Sequence, residues 1–197
     1  MMRWFITSIG VYTMIEKEII ETVISDMDIF FTESKDCFSQ TRDIFTARLQ
    51  SFIFKTEKYL EAAVIGEIGN NTFDHNFGYF TEFPKGVYCN FKYKQKYTIL
   101  ADYGRGVKQS LLNVLPNLVT DTEAVETAFT KMISGRASEQ RGNGLKFVAE
   151  TIQDNNWDLY FQSGFGSCSI NKNGLLFREE AVSIKGCLAV LNFNGEK

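Results

Sequence analysis

Three groups of residues in this chain combine side-chain types and spacings that could do chemistry. Glu67, Asn71 and His75 follow one another at intervals of four. At about 100° per residue in a helix, that spacing puts all three on one face, interleaved with Leu60, Val64 and Ile68. A carboxylate, an amide and an imidazole thus share a stripe that should be buried. An unpartnered amide or carboxylate in an apolar interior costs roughly 2 kcal/mol or more. These groups therefore either line a pocket or belong to a satisfied polar core.

The second group is Asp102-Tyr103-Gly104-Arg105-Gly106, directly after the apolar run Tyr97-Thr98-Ile99-Leu100-Ala101. A buried strand that runs out into a turn here would offer an acceptor on Asp102. Gly104 and Gly106 would give backbone able to take positive φ or approach a ligand closely. The third is Arg141-Gly142-Asn143-Gly144-Leu145, at the end of a polar, glycine-containing stretch and the start of helical spacing. Free N–H groups at a helix start suit phosphate oxygens. Taken singly, the last two groups read as an ordinary turn and an ordinary helix start.

Other chemistries lack their marks. Neither glycine pair extends to G-x-G-x-x-G, because the third positions are Gln109 and Phe147, and no G-x-x-x-x-G-K-[ST] occurs, so dinucleotide-fold and P-loop fingerprints are missing. Cys37, Cys89, Cys168 and Cys187 are widely spaced and His75 is the single histidine, which argues against structural zinc and for reduced thiols in a cytoplasmic protein.

The elements that must position these groups follow from periodicity. Residues 14–54 carry helical spacing compatible with two helices or one broken pair, and a third helix is expected over 56–75. Alternation over 86–93 and a buried run over 97–101 predict a hairpin. A helix follows Gly106, another covers 121–132, residues 134–143 read as a loop, and 145–152 return to helix. Strands are expected near 157–161, 166–170, 175–177 and 187–193. This order implies an N-terminal helical segment over 1–58 and a single α+β domain over 59–197. The N-terminal helices serve either as a homodimer surface or as a cap on the domain's own sheet.

With 197 residues, 44% of them hydrophobic, the chain can bury a real core, while a net charge of −3 gives no reason to expect nucleic acid or an anionic membrane as partner. No run reaches the roughly 20 apolar residues of a membrane span. Residues 1–14 make a poor signal peptide, and Met14 is an alternative start.

In order and spacing together, the three groups resemble the histidine kinase-like ATPase superfamily, also called the GHKL or Bergerat fold. The stretch from Gly66 to His75 is similar to its N box, Ala101 to Val107 to its first glycine box, and Gly142 to Leu145 to its second, at the far side of a lid. Lys185-Gly186-Cys187 matches in part, with cysteine where the family often has threonine. The flavour is that of small stand-alone ATP-binding proteins and anti-sigma-type kinases.

The resemblance implies a two-layer α/β sandwich with a mixed, largely antiparallel sheet and an N-terminal helical extension, and it implies ATP and Mg²⁺ as ligands. It assigns Mg²⁺ to Asn71 and activation of water or of a phosphoacceptor to Glu67. Phosphate contact falls to His75, where a structural role is equally open. Asp102 would accept from the adenine amino group, with Gly104, Gly106 and Val107 closing over the base. Gly142, Asn143, Gly144 and Leu145 would meet phosphates through the backbone, with Arg141 adding charge.

A complete sensor histidine kinase is disfavoured, and autophosphorylation on histidine in the usual place is excluded, because residues 1–66 hold no histidine to accept phosphate. The leading expectation is an ATP-dependent kinase or ATPase module that acts on or regulates a protein partner. The alternative is a non-catalytic nucleotide-sensing interaction module or adaptor.

Overall fold

The computed structural model describes residues 15, 17–33, 35–76, 85–131 and 144–194. In chain order these form α1 (Lys17–Glu33), a short turn of helix, β1 (Phe38–Ser39), α2 (Arg42–Thr56) and α3 (Tyr59–Asn76). Then come β2 (Val87–Tyr93), β3 (Tyr97–Asp102), α4 (Gly106–Leu111), α5 (Asp121–Thr130), α6 (Gly144–Asp154), β4 (Asp158–Asn171) and β5 (Gly174–Asn192). The strands make one five-stranded sheet in the order β1-β2-β3-β5-β4. All four pairings among the described residues are antiparallel.

β3 lies at the centre, and its six residues are all buried. A strand covered on both faces needs apolar side chains at successive positions, which is why its sequence reads as a run and not as an alternation. Leu100, with Val87, Cys89, Phe161, Ala189 and Leu191 of its neighbours, faces Val64, Ile65 and Ile68 of α3, Phe129 of α5 and Val148 and Ile152 of α6. That sheet against those helices is the expected α+β sandwich.

The other face of the sheet is also covered. Val23, Met27, Phe30 and Phe31 form one stripe of α1 and pack with Tyr88, Ile99, Ala101, Tyr160 and Leu188. Phe30 stacks on Tyr88 with ring centroids 4.8 Å apart. Of the two roles open to the N-terminal helices, α1 takes that of a cap on the sheet, and its apolar stripe is spent there.

α2 packs instead on α3. A Cβ on Gly69 would lie 2.2 Å from Cζ of Phe45, and one on Gly66 would lie 3.2 Å from Leu49. The two glycines of the Glu67–Asn71 helix are therefore the floor on which α2 rests, and α3 can turn its polar face away from α2.

The C-terminal part departs from the sequence reading. The four short strands expected there are two long ones, β4 and β5, which pair from Asp158↔Asn192 to Asn171↔Gly174. Register shifts around Ser163, Gly164 and Gly166 bend the hairpin, with Gly164 at φ 60° and Gly186 at φ 78°. Such bulges break strict alternation without ending the strand. β1, only two residues long, also fell inside a stretch read as helical.

Candidate functional site

A cavity of about 470 Å³ opens between α3, the start of α4, the N-terminus of α6 and the helix-facing side of the sheet. Its volume falls within the range usual for small-molecule sites. Glu67, Asn71, His75, Asp102, Gly106, Val107, Gly144 and Leu145 all line it. Gly104 is not among the lining residues and packs instead against the Asn76 side chain. Arg141, Gly142 and Asn143, with the whole of the expected loop over 134–143, lie outside the described residues.

Asp102 is set at one end by the last position of β3 and is 4% exposed. Its Oδ1 accepts from the Gly104 amide at 2.7 Å and its Oδ2 from the Thr72 hydroxyl at 2.9 Å. Burial pushes the carboxyl up to about 6, against the opposing pull of hydrogen bonds from Gly104, Thr72 and the Cys187 backbone. Cys187 stands opposite Asp102 in the β3–β5 register and lines the same cavity. Burial, with the neighbouring Asp102 carboxylate, holds its thiol protonated, well above the ordinary range. Leu100, Phe161 and Ala189 give this end an apolar wall.

The turn after Asp102 is fastened from three sides. Gly104 is a glycine because the Asn76 amide fills the space a Cβ would need, 2.1 Å from Nδ2. That amide donates to Thr72 O at 2.9 Å and accepts from Arg105 N at 2.9 Å, clasping the end of α3 to the turn. Gly106 takes φ 76°, and the Ser163 hydroxyl accepts from Val107 N at 2.9 Å while donating to Gly186 O at 2.9 Å. From the far side, the Tyr103 hydroxyl donates to Asp28 of α1, and its ring lies 4.5 Å from that of Phe31.

The other end is polar. Asn71 and His75 are half-buried and Glu67 is exposed. A Cβ on Gly144 would lie 2.4 Å from Oε2 of Glu67, so the first residue of α6 abuts this carboxylate. Asn70 also lines the cavity, and its Oδ1 is buried with no hydrogen-bond partner. Leaving a buried acceptor unpaired costs about 1–3 kcal/mol unless something else supplies a donor or a cation. Arg42, the first residue of α2, reaches the same rim and pairs with Asp74.

Sequence reasoning did not single out Thr72, Asn76, Asn70 or Arg42. Thr72 and Asn76 share the helix with Asn71 at i+1 and i+5, so helical geometry placed them near the site without marking them as the holders of Asp102 and its turn. Arg42 carries no local signal, because only the packing of α2 on Gly66 and Gly69 brings it to the cavity.

Among the described residues, no group of three or more His, Cys, Asp or Glu side chains could hold a metal ion. No described helix is long and apolar enough to cross a membrane. What the geometry offers is a two-ended pocket. At one end an apolar wall carries a buried acceptor, at the other Glu67 stands against Gly144, and amides, an imidazole and a guanidinium complete the polar lining. That shape suits a ligand with a planar, hydrogen-bonding head and a polar, charged tail.

No family model matches the chain, and no curated protein matches it. Among solved structures it is similar to the 43K ATPase domain of Thermus thermophilus gyrase B in complex with an aminocoumarin, at 16% identity over 73% of this chain and with a TM-score of 0.39. The chain spans 38% of the length of that one, and so loose a likeness says nothing of what the cavity binds.

Proposed function

We propose that this chain is a Mg²⁺-dependent ATP-binding domain serving as a kinase or ATPase module that acts on a protein partner. The observation that supports it is the placement, in one cavity, of a buried acceptor against an apolar wall and of Glu67 with Asn71 at the opposite end.

Adenine fits the first end. Its flat ring lies against Leu100 and Ala189, and its exocyclic amine donates to Asp102. Guanine would bring a carbonyl to the same carboxylate, acceptor against acceptor, so the site discriminates between them. The ionised form of Asp102 is the better acceptor, which ties base recognition to its protonation state.

The residues at the second end fit a hard cation. Mg²⁺ takes oxygen ligands and is usually held by one or two protein oxygens together with substrate phosphates. The Asn71 amide would supply one such oxygen. When bound, the ion neutralises phosphate charge and orients the chain of phosphates. Glu67, one helical turn before Asn71, accepts the proton of the attacking water or hydroxyl. The α6 N-terminus at Gly144 and Leu145 offers backbone N–H groups to phosphate oxygens.

Calorimetric titration of ATP and of GTP, each with and without Mg²⁺, tests this reading. Saturable ATP binding strengthened by Mg²⁺, with GTP at least about tenfold weaker, is the expected result. Equal affinity for ATP and GTP would remove the assigned role of Asp102. For the catalytic half, Glu67→Gln is expected to keep ATP affinity while abolishing turnover with Mg²⁺. Unchanged turnover in that variant would remove Glu67 from the chemistry.

A further inference from the structure

We propose that Arg42, delivered by α2 from the N-terminal segment, grips the terminal phosphate of the bound nucleotide and gives up Asp74 to do so. The assignment rests on the nucleotide reading above.

Position is the first argument. Along α3, Glu67, Asn71 and Asp74 fall within about 60° of arc, whereas Thr72, which holds Asp102, is turned about 100° from Asn71. Arg42 pairs with Asp74 and lines the cavity, so it stands on the Glu67–Asn71 face of α3 and not on the face that holds Asp102.

Charge is the second. The carboxylates of Glu67, Asp74 and Asp102 all line the cavity. A triphosphate entering beside them meets like charge, which a cation offsets only in part. Among the described lining residues, Arg42 is the only lysine or arginine.

Availability is the third. The Arg42 and Asp74 side chains are 46% and 29% exposed, and ion pairs so open to water are held weakly. A terminal phosphate carries more charge than a carboxylate and offers several oxygens to the planar fork of a guanidinium. It therefore outcompetes Asp74, which serves to park the arginine when no nucleotide is present. Because Arg42 opens α2 and α2 rests on Gly66 and Gly69 of the nucleotide-facing helix, occupancy of the site is felt directly by the N-terminal segment.

The test is the ratio of ATP to ADP affinity, measured by calorimetry with Mg²⁺ for the wild type, Arg42→Gln, and Arg42→Gln combined with Asp74→Asn. Glutamine keeps much of the stem, and thermal melting without nucleotide establishes that both variants fold. The expected result is a loss of about tenfold or more in ATP affinity with a much smaller loss for ADP, so that the ratio collapses in both variants. A ratio unchanged in Arg42→Gln overturns the assignment while leaving nucleotide binding intact. A wild-type ratio restored in the double variant also overturns it, since the arginine would then do no more than neutralise Asp74. Failure of the wild type to bind either nucleotide refutes the nucleotide reading itself, and this assignment with it.

Discussion

Asp102→Asn tests the electrostatics of the pocket without any ligand. In the native protein, burial raises the carboxyl from its ordinary 3.8 to about 6 even though three donors point at it. At about 1.4 kcal/mol per pH unit, that interval corresponds to about 3 kcal/mol of cost for keeping the charge buried. The sign follows from proton counts. Between the two values the native state holds a proton that the unfolded chain has released, so stability from this group rises as pH falls through 6 and is fully gained below 3.8. Above 6 both states are ionised and the cost is carried in full.

Asparagine has no such proton. The difference in unfolding free energy between wild type and variant should therefore move by about 2–3 kcal/mol in favour of the wild type from about pH 7 to about pH 4. Urea unfolding of both proteins at each pH measures it, and every other carboxylate cancels in the difference. A difference that stays constant would show that the carboxyl is not raised. Movement in the opposite direction would show that the hydrogen bonds from Gly104, Thr72 and Cys187 outweigh burial.

Other outcomes follow from the same geometry. ATP affinity, measured by titration across pH, should weaken as pH falls below about 6, because protonation removes the charge that accepts from the base. Gly104→Ala should cost roughly 1–3 kcal/mol in urea unfolding, since the new methyl meets the Asn76 amide, and Asn76→Ala in the same background should recover part of it. Phe45→Ala should cost roughly 3–5 kcal/mol, because its ring is wholly buried between α2 and Gly69; a loss under about 1 kcal/mol would contradict the α2–α3 packing.

What could be read from the sequence was whatever breaks a local pattern. Glu67, Asn71 and His75 stood out because polar groups interrupted an apolar stripe, and Asp102 because a strand with six buried positions ends on a carboxylate. The layer of helices on the sheet and the hairpin over β2 and β3 followed from periodicity. What periodicity cannot give is the partner. The stripe of α1 was visible, but nothing local says that it meets Tyr88 and Leu188 on the back of the sheet. The length of β4 and β5 was hidden because bulges at Gly164 and near Gly186 shift the alternation partway along each strand. Thr72, Asn76 and Arg42 were hidden for a different reason: each matters through a contact 25 or more residues away in sequence.

The most direct test of the central claim is a calorimetric titration of ATP with Mg²⁺ into the wild type and Asp102→Asn, the variant whose folding the urea experiment already establishes. A hydrogen bond to a charged acceptor contributes about 1.5–3 kcal/mol, so the account predicts one-site binding to the wild type and a loss of roughly 10- to 100-fold in the variant. Equal affinity in the two proteins, or no binding to the wild type, would contradict it.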